Sequence, residues 1–218
     1  MIRNKLAVIA SIVLLCICMS FYFPFPNNQI RNVGVQQFIS FPIRNQDGYV
    51  MLGIIGSVLF VVAIILLVIG IKKYRFQTVI IVLIVYTFLP KLLIGVYQET
   101  LASGISAISY DNKGTCNFEY VGEDVLNGEC SLVLHNHSNE TVSFELEFLD
   151  SILGEDEMQM ESLMNIDGPN NIVIEANSKK YIHLEKSLEL SDGIKHIDEG
   201  SSTGVQIKLI DGGATRIL

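Results

Sequence analysis

Met51–Val96, read MLGIIGSVLFVVAIILLVIGIKKYRFQTVIIVLIVYTFLPKLLIGV, decides the architecture of this 218-residue chain. Two apolar runs, Met51 to Ile71 and Phe76 to Val96, flank the basic turn Lys72-Lys73-Tyr74-Arg75. About 20 apolar residues suffice to cross the hydrocarbon core as a helix, and lipid-exposed backbone must satisfy its own hydrogen bonds. The stretch therefore reads as a helical membrane hairpin.

Charge divides the chain at the end of that hairpin. Residues 1–96 hold eight Lys or Arg and one acid, Asp47, whereas residues 97–218 hold seven basic and 22 acidic side chains. The formal charge is thus +7 in the first part and −15 in the second. Such asymmetry marks two regions in different surroundings, a membrane region over 1–96 and an acidic domain over 97–218. The acidic domain lacks the Lys and Arg clusters that phosphate binding needs, which argues against a nucleic-acid partner.

Upstream, Leu6 to about Phe23 is a third apolar run, preceded by Arg3 and Lys5. It resembles the core of a signal peptide, but it ends Cys18-Met19-Ser20-Phe21-Tyr22-Phe23, with no small-residue cleavage signal. The expectation is an uncleaved first transmembrane helix, giving spans over about 6–23, 51–71 and 76–96. Aromatics around Pro24 and Pro26 would then sit at the outer interface. The connector 24–50 spaces Ile30, Val33, Phe38 and Phe41 close to a helical period, but Gly34 and Pro42 weaken any helix. A short interfacial helix and an irregular loop both fit it.

Gly53 and Ser57 make a small-xxx-small pair that lets helix backbones approach, and contact within the bundle is the expected use. Lys91, directly after Pro90, is the one charge inside a predicted span. It lies about 8 Å of helix from Val96, at about 1.5 Å per residue, so the expectation is a lysine that snorkels to the interface rather than an ion or substrate path. Five positive charges sit at the amino terminus and the Lys72 turn, against Arg31 and Arg44 in the connector. The positive-inside rule puts the amino terminus in the cytoplasm, and three crossings put 97–218 outside the cell membrane.

Cys116 and Cys130 lie in two strand-like runs around a loop containing Gly122, Asn127 and Gly128. An antiparallel hairpin would set the sulfurs opposite each other, and a disulfide closing so short a loop stabilises by about 3 kcal/mol in an oxidising compartment. A zinc site is disfavoured, because only His135 and His137 lie near and zinc takes four clustered ligands. Cys16 and Cys18, two apart on a helix, point to different faces and are expected to pack.

Beyond Cys130 the period is two. Val142, Phe144, Leu146 and Phe148 alternate with Ser143, Glu145 and Glu147, and similar runs recur at Leu132 to His135, Ile172 to Ile174, Tyr181 to Leu184, Val205 to Leu209 and Thr215 to Leu218. Turn residues separate them. Six or seven short strands predict an antiparallel β-sandwich, immunoglobulin-like only in the broad sense, since the chain has no Trp and the cysteine spacing is too short for an inter-sheet bridge.

Chemistry-bearing motifs are sparse. Glu155-Asp156-Glu157 and Glu161 lack the alternating ligands of an EF-hand loop and read as a solvated acidic loop. The histidines at 135, 137, 183 and 196 form no His-Glu-x-x-His motif, and no nucleophile elbow occurs. No metal, cofactor or catalytic set is expected. Asn136-His-Ser and Asn139-Glu-Thr are glycosylation sequons, meaningful only in an organism that glycosylates exported protein. The expected role is a non-enzymatic binding or accessory module, anchored in the bilayer and offering the sandwich to a protein partner. A subunit or regulator of a transporter or channel is the alternative, with Lys91 and Gly53 as the residues that discriminate.

Overall fold

Gly53, Gly56, Phe60, Ala63, Leu67 and Gly70 recur every three or four residues, and they are the buried positions of helix α2 (Met51–Gly70). This is a heptad seam made largely of small side chains, so a second helix can approach closely along it. That helix is α1 (Lys5–Phe21), which runs antiparallel to α2. Ser11 Oγ donates to the Ala63 carbonyl at 2.7 Å, and Cys18 Sγ lies 3.9 Å from the Gly56 carbonyl. Farther along, the amides of Arg3 and Asn4 both donate to the Gly70 carbonyl. A Cβ at Gly70 would stand 2.5 Å from Val8 Cγ2, so only glycine fits there. Gly53 and Gly56 are both spent within the unit, and Ser57 Oγ turns back to the Gly53 carbonyl.

The computed structural model describes residues 2–21, 23, 25, 36–38, 41–45, 48–121, 125–150, 160–166, 168–189 and 199–218. The chain divides into two units, Met1–Phe25 with Ile30–Gly95, and Val96–Leu218. In the first unit α2 and α3 (Arg75–Thr100) are long and apolar enough to cross a membrane. The first helix differs from the expected span over 6–23. It has 17 residues and ends at Phe21, about 25 Å at 1.5 Å per residue against a core of about 30 Å. Two helices rather than three therefore meet the criterion for a span. The third helix runs through Pro90 to Thr100, one turn past the expected end at Val96, and Thr78, Thr87 and Thr100 return their hydroxyls to carbonyls four residues back. Arg3 and Lys5 come to the same end of the unit as Lys72, Lys73 and Arg75, because Ile2 bridges Ile71. Tyr74 adopts φ 64° to close that basic turn.

The connector is neither an interfacial helix nor wholly irregular. Its described residues make a small antiparallel sheet of β1 (Gln36–Phe38), β2 (Phe41–Asn45) and β3 (Gly48–Tyr49), with Phe38 opposite Phe41. Phe41 is fully buried in a cluster with Cys18, Phe60 and Tyr86, its ring 5.8 Å from that of Phe60. Burial of one aromatic decides the backbone here over the weak helical period. Ile30, Val33 and Gly34 lie outside the described residues.

The second unit is all β after the last turn of α3. One sheet is centred on β6 (Val125–Asn136). β9 (Lys179–Glu189) pairs with it along its length, while β5 (Thr115–Tyr120) and β4 (Ile108–Tyr110) follow each other along its other edge, and β10 (Gly200–Thr203) adds to β5. The other sheet has the order β12 (Ala214–Ile217), β11 (Gln206–Asp211), β7 (Val142–Leu149), β8 (Asn170–Ile174). Every pairing in both is antiparallel. Val142, Phe144, Leu146 and Phe148 are buried and share one core with Phe118, Leu126, Leu134, Ile182, Ile207 and Leu209, the two-layer arrangement of a β-sandwich. A 3₁₀ turn at Glu161–Asn165 adds Leu163 and Met164 to it. The cysteine hairpin is tighter than expected. Asn127 and Gly128 lie inside β6, opposite Glu119 and Phe118, rather than in the connecting loop.

Candidate functional site

Even-numbered residues of β6 face the core, so the odd-numbered ones form the outer face of its sheet. At the end of that face His135 stands opposite Ser109 on β4 and Lys179 on β9. His137, two residues on, turns its ring to within 3.9 Å of the His135 ring, centroid to centroid, at 51°. Ser109 Oγ lies 2.8 Å from His137 Nε2 and fixes that ring. Both imidazoles are half-buried. Burial pushes both below the ordinary imidazole value; the neighbouring His137 and Lys179 charges push His135 further down, and Glu99 opposes the shift at each.

The remaining outer face is open. His183 Nδ1 lies 3.0 Å from Ser131 Oγ and 3.7 Å from Glu129, and all three are well exposed or half-exposed. Tyr181, across from Val133, is 80% exposed, the most exposed large apolar side chain of the described residues of this unit. No cluster of three or more His, Cys, Asp or Glu suited to a metal ion occurs among the described residues.

Cys116 and Cys130 are directly opposite in the ladder and form a disulfide, buried on the core side of the sheet. The bond joins neighbouring strands of one sheet and not the two layers. Of the free cysteines, Cys16 is exposed and Cys18 is buried.

The two sequons occupy opposite environments. Asn136 is completely buried at the end of β6. Its Nδ2 donates to the carbonyls of Glu140, Ile174 and Glu175, and its Oδ1 accepts from the amide and hydroxyl of Ser138. The nitrogen a glycan would occupy is thus committed to joining both sheets. Asn139 is exposed, and its Oδ1 accepts from Asn177 Nδ2. Lys91 is exposed on α3. Glu161 departs from the acidic-loop expectation, being 1% exposed at the start of its 3₁₀ turn, while Glu155-Asp156-Glu157 and His196 lie outside the described residues.

One polar cluster was not anticipated. Arg216 of β12 is buried, and its Nη1 donates to the carbonyls of Ile105, Ser106 and Ile108. Burial lowers its pKa to about 10, with Tyr97 opposing, so it remains charged at neutral pH. The signal available in sequence was a lone arginine in the alternating run Thr215 to Leu218. No protein-family model, curated protein or solved structure matches the chain.

Proposed function

We propose that this chain is an integral membrane protein that presents its β-sandwich, immunoglobulin-like in the broad sense, outside the cell as a non-enzymatic binding or accessory module. The supporting observation is the joining of two helices fit to span a membrane to a disulfide-bonded two-sheet domain, since such bonds persist in oxidising compartments. On this reading α1 is a third, short span. Its antiparallel packing on α2 from Gly70 to Gly56 supports that, and a short span is accommodated by local thinning of the bilayer. The five basic residues gathered at one end of the helical unit support a cytoplasmic amino terminus. The partner is a protein that contacts the open outer face around Tyr181, because an exposed tyrosine on a rigid sheet loses little entropy on binding.

Two measurements test this. In a variant lacking Cys16 and Cys18, a membrane-impermeant thiol reagent should label Cys116 and Cys130 of intact cells only after reduction. Labelling that needs broken cells but no reductant would put the domain in the cytoplasm and defeat the reading. A photo-crosslinking residue at 181 should then yield one defined adduct in membranes, lost when Tyr181→Glu is combined with a probe at a neighbouring position. The alternative, a transporter or channel subunit, draws on Lys91 within α3. Lys91→Ala would abolish the cellular role of such a subunit but leave a binding module working.

A further inference from the structure

We propose that His135 and His137 form a two-imidazole site for a divalent transition-metal ion. Three features of the geometry carry this. The residues are two apart and their ring centroids stand 3.9 Å from each other, so the fold has already brought two imidazoles together. Ser109 Oγ holds Nε2 of His137; in the tautomer whose Nε2–H donates to that hydroxyl, Nδ1 is left bare as a ligand, the orienting contact that metal-bound histidines usually make. His135 makes no hydrogen bond among the described residues that would occupy its lone pair. Two imidazoles on one ion, with metal–nitrogen bonds of about 2.0 to 2.1 Å, hold their centroids roughly 4.5 to 5 Å apart. A small spreading of the rings therefore admits the ion, and water completes the coordination.

Lys179 faces His135 across the ladder, and the neutral imidazole is the form that binds metal. Two imidazole nitrogens favour Cu²⁺, then Zn²⁺ and Ni²⁺, over the harder Mg²⁺ and Ca²⁺. The site needs neither the membrane topology nor the protein partner proposed above.

The full chain in detergent micelles, titrated with Cu²⁺ at pH 7.4, gives the test. Electron paramagnetic resonance should show one bound ion with two-nitrogen coupling, and competition with a chromogenic chelator should show at least a tenfold loss of affinity in both His135→Ala and His137→Ala. Ser109→Ala should weaken binding several-fold, and His183→Ala should leave it unchanged. As a second measurement on the unaltered chain, Zn²⁺ should protect His135 and His137, but not His183, from diethylpyrocarbonate. Affinity in either alanine variant equal to that of the unaltered chain, or modification of His135 and His137 unaffected by Zn²⁺, overturns the site.

Discussion

Gln98 and Arg216 donate to the same acceptor. The Ile108 carbonyl receives Nε2 of Gln98 at 3.1 Å and Nη1 of Arg216 at 2.6 Å, and both side chains also reach the Ser106 carbonyl. The 3₁₀ turn Gly104–Ala107 that opens the β unit is thereby clamped between the last turn of α3 and the last strand, β12. The two N–H groups of Nη1 are shared among three carbonyls, and the planar guanidinium fixes where they point, whereas a lysine ammonium sits on a more flexible stem. Arg216→Met should destabilise the unit by about 2 to 4 kcal/mol, because it removes three charge-assisted hydrogen bonds at once and leaves Gln98 as the side-chain donor to the Ser106 and Ile108 carbonyls. Arg216→Lys should recover only part of the loss. Since Gln98→Ala removes donors from the same oxygens, the double variant should depart from additivity, as a thermal or denaturant cycle would show.

Helix α1 is held to α2 by the absence of side chains. Gly70→Val places carbon atoms where Val8 already stands, so it should separate the amino-terminal half of α1 from α2. Ser11→Ala, which removes only the bond to Ala63, should cost about 0.5 to 1 kcal/mol. A cysteine pair placed at Ser11 and Ala63, farther along the same seam, in an otherwise cysteine-free chain should crosslink readily, and should cease to do so once Gly70→Val is added.

Cys116 and Cys130 close a loop with a sequence separation of 14. Removing the bond by a double substitution to alanine should lower stability by about 3 kcal/mol by the loop-closure argument. β6 remains bordered by β9 along its whole length, so the loss should show as a lower unfolding temperature with the β-sheet circular dichroism of the remaining fold retained. A variant with unchanged stability would mean that the reduced, unfolded chain already holds the two strands together.

Asn136 should be among the least replaceable residues of the β unit. Asn136→Ala deletes bonds to Glu140, Ile174, Glu175 and Ser138 at once, and a loss of about 3 kcal/mol or more is expected. Asn136→Asp keeps the acceptor for Ser138 but sets a carboxylate against three carbonyls, so it should be at least as damaging. If the chain is produced where sequons are used, glycan should be found on Asn139 and not on Asn136, which peptide mass spectrometry distinguishes.

The strands with a clean alternation were legible in sequence for a simple reason. In Val142 to Phe148 the residues that face the core are all large and apolar, so period two is visible without context. The disulfide was legible because its cysteines fall in two such runs. β4 and β10 were not legible. Ile108–Tyr110 and Gly200–Thr203 are only three and four residues long, and Gly200-Ser201-Ser202 looks like a turn. They become strands because β6 and β5 offer open edges. The connector sheet was missed because what fixes Phe41 is a pocket formed by Phe60 and Cys18, residues distant in sequence. The histidine pair was visible only as two letters two apart; the Ser109 contact and the burial that give it chemistry belong to the tertiary fold.

That burial sets a pH dependence. His135 and His137 face each other, with Ser109 from β4, Lys179 from β9 and Glu99 from α3 as the surrounding polar and charged groups. Their folded values lie below the ordinary imidazole value, chiefly through desolvation, so as pH falls through about 6.5 the unfolded chain takes up protons that the folded chain does not. With more protons bound to the unfolded state, stability rises with pH in this window. The contribution is complete above the unfolded value and is lost progressively on acidification. Unfolding curves of the metal-free chain between pH 7.5 and 5, on a scale of roughly one to two units either side of the ordinary value, should therefore show a decline that is smaller in the His135→Gln, His137→Gln double variant. Lys179→Gln should also reduce it, by relieving repulsion of the charged rings, whereas Glu99→Gln should steepen it. An equal decline in all four proteins would assign the acid sensitivity to the carboxylates instead.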